Sequence, residues 1–129
     1  MTHIISNNGD RHELLTNDPE VAKWLETYHI SSDIIIDQLN NERSLQPLFD
    51  TVDDYTLIDL GANIGLFSLY AQGKAKRVIA VEPAPNTFNI LQKITAGHDK
   101  IELLQGAASD RDGETSFFIS HEPTINSAV

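Results

Sequence analysis

Two acids, Asp59 and Glu82, stand where they could handle a small molecule. Asp59 closes an apolar run in 57-LIDLGANIGLFSLYAQ-72, and a glycine-containing turn follows it at once. Glu82 closes the next apolar run in 77-RVIAVEPAP-85, and 82 − 61 places it 21 residues after Gly61. An acid at that distance from a glycine turn can accept hydrogen bonds from the two hydroxyls of a ribose. A turn built from Gly61, Ala62, Asn63 and Gly65 lets backbone approach a ligand closely. Taken singly, Gly61 reads equally as a helix-entry glycine and Glu82 as a solvated strand end. Together, with strand, turn, helix and strand in order, they point to a nucleoside-containing ligand.

Two details discriminate among such ligands. A pyrophosphate-binding turn has the pattern G-x-G-x-x-G. Here the second and third glycine positions hold Asn63 and Leu66. An ionised Asp59 beside a pyrophosphate would also be repulsive, on the order of 1–4 kcal/mol at a few ångströms in a wet site. A carboxylate at that place suits a ligand carrying positive charge near its ribose. S-adenosylmethionine has an α-ammonium and a sulfonium and no phosphate, so the residues favour it over NAD.

The elements that must position these residues follow from periodicity. Tyr55–Leu60, Val78–Val81 and Ile101–Leu104 read as buried strands, and Asn63–Gln72 and Pro85–Ala96 as the helices between them. Strands alternating with such helices give βαβ units and a parallel sheet. Lys74, Lys76 and Arg77 suit the negative end of the first helix. Upstream, Asp18-Pro19-Glu20 is a helix start, with Val21, Trp24, Leu25 and Tyr28 on one face. Ser31-Ser32-Asp33 starts a second helix, which Pro47 ends or kinks near Leu45. Ile4-Ile5 suggests a short strand and Asn7–Asp10 a turn. Residues 1–54 are thus expected as a helical segment packing on the sheet, and 55–129 as the ligand-binding half of a single compact domain.

Bulk properties exclude several classes. The 129 residues carry a formal net charge of −10, which disfavours nucleic acid and anionic membranes as partners. The chain contains no cysteine, so disulfides and thiolate chemistry are ruled out. No apolar stretch is long enough to span a membrane, and the first residues do not resemble a signal peptide. The expected compartment is the cytoplasm. No pair of histidines or acids has metal-ligand spacing, so no metal is expected.

The segments I-D-L-G-A-N-I-G-L-F-S (58–68), R-V-I-A-V-E-P-A-P-N-T-F (77–88) and G-A-A-S-D-R-D-G (106–113) resemble the class I S-adenosylmethionine-dependent methyltransferases, and within them the FkbM type. The resemblance covers roughly residues 50–129. It implies a Rossmann-like parallel sheet with helices on both faces, preceded here by the two N-terminal helices. It implies O-methyl transfer to a hydroxyl of a small molecule, sugar or natural product. Asp59 is then expected near the methionine amino group, and Gly61, Ala62, Asn63 and Gly65 around the methionine and ribose. Glu82 is expected on the ribose hydroxyls. Only the resemblance places Pro83 and Ala84 at the adenine edge and Ala107 and Ala108 in the adenine pocket.

Family members continue through further strands to a seven-stranded sheet, so the chain reads as a methyltransferase domain truncated after its third or fourth strand. The acceptor half and any general base are not visible in it. Histidines 3, 12, 29, 98 and 121 read as surface residues. Thr115–Ser120 reads as a strand with an exposed apolar edge, which a dimer partner would cover. The competing reading is a non-catalytic nucleoside-binding or oligomeric module that keeps the fold alone.

Overall fold

In the computed structural model, residues 2–7, 10–15, 18–27, 47, 50–119 and 127–128 are described. The centre is a parallel sheet of three strands, β3 (Thr56–Leu60), β4 (Arg77–Glu82) and β5 (Ile101–Gln105), in the order β3-β4-β5. Register pairs Asp59 with Ala80 and Val81 with Leu104, so all three strands end at one edge. The crossovers are α2 (Leu66–Ala71) and α3 (Pro85–Ile94). The parallel sheet and its connecting helices match the expected fold class.

The helices do not lie on both faces of the described sheet. A right-handed crossover fixes the side on which its helix lies. Strand order runs from β3 to β5 without reversal, so α2 and α3 fall on the same side. There Val78 and Ala80 are fully buried, against Ala71 and Ala75 in one cluster and Ala62 and Leu91 in another. Ile58, Leu60 and Leu104 alternate to the other face and are more than half exposed.

A third layer lies outside these helices. α1 (Pro19–Thr27) sets Val21 and Trp24 against Ile64, Leu66, Tyr70, Ile90 and Ile94. As the sequence predicts, Asp18 caps it: its Oδ1 accepts the N–H groups of Glu20 (2.9 Å) and Val21 (3.2 Å). Lys93 of α3 pairs with Asp18 and Glu20 and so ties the two helices together. The expected second N-terminal helix lies outside the described residues.

Four local readings change. The N-terminal segment opens with an antiparallel hairpin, β1 (Thr2–Asn7) and β2 (Asp10–Leu15), ahead of its helix. α2 begins three residues later than expected, because Asn63 and Gly65 are both left-handed and no helix can run through them. The free carbonyls after α2 are met by Lys100, whose Nζ donates to Gln72 O (3.3 Å) and Ala75 O (3.2 Å). Of the nearby cations, Lys74 pairs with Asp50 and Arg77 with Glu102. Finally, the strand expected at 115–120 is only β6 (Phe117–Phe118), paired with β7 (Ser127–Ala128) in a separate small sheet. Among the described residues no helix is long and apolar enough to cross a membrane.

Candidate functional site

The carboxyl ends of β3 and β4 carry the two acids, and the main chain holds their loops together. Gly61 and Ala62 both donate to Val81 O at 2.9 Å, which prolongs the β3–β4 pairing into the turn. Gly61, Asn63 and Gly65 have φ of 79°, 53° and 89°. Asn63 tolerates this conformation better than most side chains, and glycine tolerates it without strain.

The two glycines do different work. A Cβ on Gly61 would meet nothing within 4 Å, so this face of the turn is open to an approaching molecule. A Cβ on Gly65 would lie 2.5 Å from Leu91 Cδ1 and 3.2 Å from Thr95 Cγ2. Gly65, expected to cup a ligand, is where the start of α2 presses on α3. Ala62 also turns inward, into the cluster with Ala80 and Leu91.

Asp59 is 9% exposed and lies on the helix-covered face of β3. Its Oδ2 accepts a 2.6 Å hydrogen bond from the hydroxyl of Ser68, a fully buried residue of α2. Burial pushes the Asp59 carboxyl above its ordinary range, and the Ser68 hydroxyl partly opposes this by favouring the anion. Asp59 enters no ion pair among the described residues. Sequence reasoning missed Ser68 as its partner. The signal was available: Ser68 lies on a helix that follows the acid and is otherwise largely apolar.

Glu82, also buried, is held from both sides. Its Oε2 accepts from Asn63 N and its Oε1 from Ala84 N, each at 2.9 Å. One carboxylate therefore joins the turn after β3 to the turn after β4. Each oxygen keeps a further lone pair for a hydroxyl donor. Beside it the Asn63 Oδ1 is buried with no hydrogen-bond partner among the described residues. An acceptor in that state costs on the order of 1–3 kcal/mol unless a donor reaches it.

The remaining expected residues separate by exposure. Ala107 and Ala108 are exposed just past β5, at the same edge as the acids. Pro83 is half-buried. The Ala84 side chain is buried, its N–H goes to Glu82, and its carbonyl accepts from Phe88 N at 2.8 Å. His98 lies at the opposite, amino edge of the sheet, against Gln72. His121 lies outside the described residues.

No family model matches the chain. It is 35% identical over 85 residues to Methyltransferase 1 of Beauveria bassiana, a match covering 61% of this chain and 32% of that protein. It is 43% identical over 62 residues to Methyltransferase sdnD of Sordaria araneosa, covering 44% and 24% respectively. This chain is similar in sequence to methyltransferases. The match spans about a third or less of the length of either relative. Among solved structures, wild-type Trm5b of Pyrococcus abyssi aligns with a TM-score of 0.43 at 18% identity, covering 81% of this chain and 28% of that one. The fold is read from the strand order of the chain itself.

Proposed function

We propose that residues 55–129 form the S-adenosylmethionine-binding half of a class I methyltransferase of FkbM type, which passes the methyl group to a hydroxyl of a small molecule. The observation that carries this reading is Asp59: a buried carboxylate at the carboxyl edge of the sheet, held by a neutral hydroxyl and in no ion pair among the described residues. A buried charge asks for an opposite one, and the α-ammonium of the cofactor is of that kind. Similarity to two proteins named methyltransferases supports the same reading.

S-adenosylmethionine bound here would supply a methyl group made electrophilic by its sulfonium. The chain's residues would hold and orient it. Asp59 would face the ammonium, Gly61 would let the backbone come close, and Glu82 would accept from the ribose hydroxyls. The unmatched Asn63 Oδ1 is an acceptor that a hydroxyl or ammonium donor would satisfy. Proximity and alignment account for much of the rate in such a displacement.

Calorimetric titration of the full chain with S-adenosylhomocysteine, and with NADH as control, tests the reading. The expected result is micromolar binding of S-adenosylhomocysteine, weakened about tenfold or more in Asp59→Ala, the worth of a hydrogen bond between charged groups. Absence of binding, or tighter binding of NADH, overturns it.

A further inference from the structure

We propose that Ser68 is a positioning residue that fixes the Asp59 carboxylate without neutralising it, and so makes the site selective for ligands bearing a primary ammonium group. The inference rests on the cofactor reading above and adds to it the origin of that selectivity.

A buried helical position is most simply filled by alanine. Ser68 instead brings a hydroxyl to a site with no exposure, and that hydroxyl must find an acceptor there. It finds Asp59 Oδ2 at 2.6 Å, nine residues back in sequence and on a different element. The bond settles which oxygen of the carboxylate faces α2, and it thereby sets the direction of the other.

The kind of donor matters. A lysine or arginine at position 68 would hold the acid more firmly, but its charge would cancel the attraction for a cationic ligand. A hydroxyl donates one hydrogen bond, supports the ionised form and leaves the charge unspent. Burial still outweighs this bond and raises the Asp59 carboxyl, and the Ser68 hydroxyl acts against that rise. Among the described residues five ion pairs hold cations elsewhere: Lys74 with Asp50, Arg77 with Glu102, Lys93 with both Asp18 and Glu20, and Arg111 with Asp110. None reaches Asp59.

The test compares two ligands on the full chain. S-adenosylhomocysteine carries the amino-acid portion with its ammonium; 5′-methylthioadenosine is the same nucleoside thioether without it. In Ser68→Ala, affinity for S-adenosylhomocysteine should fall about tenfold, while that for 5′-methylthioadenosine should change less than about twofold. Ser68→Cys, close in size but a weaker donor, should give the same selective loss with the packing kept. In an Asp59→Asn background, Ser68→Ala should have no further effect on either ligand. Equal losses for both ligands, or a full additional loss in the Asp59→Asn background, would mean that Ser68 only packs, and would overturn the proposal. Failure of the unaltered chain to bind S-adenosylhomocysteine would instead remove the cofactor reading, and this inference with it.

Discussion

Three consecutive residues of β3 divide between two environments. Ile58 and Leu60 point to one face and are 61% and 60% exposed, while Asp59 between them is 9% exposed on the other. The apolar side chains lie open and the acid lies inside. The period of the strand puts neighbours on opposite faces, and what has been built on each face then decides burial, whatever the residue type. On the closed face α2 and α3 form the layer, with α1 outside it. On the open face no described helix is present. The closed face tolerates Asp59 because Ser68 meets one of its oxygens. The open face keeps apolar side chains of a kind that interiors select.

Substitutions should separate the two faces. The largest effect is expected at Gly65→Ala on the closed side. A Cβ there requires both a left-handed φ of 89° and displacement of Leu91. The expected loss is about 2–4 kcal/mol, from backbone strain together with overpacking, read by denaturant unfolding. A loss below about 1 kcal/mol would mean that the α2–α3 contact is loose and the closed face less closed than its burial suggests.

Asp59→Asn should come next, and its signature is a slope with pH. The folded state raises this carboxyl above its ordinary value through burial. The native protein therefore holds the proton more readily than the unfolded chain. The stability this contributes is complete below the ordinary carboxyl range near pH ~4 and is lost as pH rises through the folded value. Asparagine does not titrate, so the variant should gain on the natural chain as pH rises from about 4 to 7. Equal pH slopes for the two proteins would show that Asp59 is solvated as well as a surface acid.

The smallest effect belongs to the open face. Ile58→Thr keeps a β-branched side chain and removes apolar surface that already meets water. Stability should stay within about 0.5 kcal/mol of the natural chain. A loss of 2 kcal/mol or more would reveal that this face is covered in solution.

Much of this arrangement was legible in the sequence. The three strands are short apolar runs between turn signals, and β4 has four apolar residues in succession, Val78 to Val81. Asp18 announced α1 because capping is local. Two of the misreadings share a cause: they concern groups whose partners are distant in sequence. Nothing near Gly65 says that Leu91 and Thr95 will lie over it. Nothing near Gln72 says that Lys100 will reach its carbonyl. β2, with the sequence DRHELL, has no apolar alternation to signal a strand and was missed. The helices were expected on both sides because the whole family fold was in view, whereas the described strands run in one direction only.

The Glu82 bonds to Asn63 and Ala84 have a mechanical meaning. Two loops that leave different strands are pinned by one side chain and cannot open independently. The wall they form is set when the protein folds, so the cost of ordering it does not fall on the step in which a ligand arrives. A guest at this edge would meet a fixed contour, not a pair of flaps. Severing the pin should first appear as slower capture and faster escape, before any contact with the guest itself is lost.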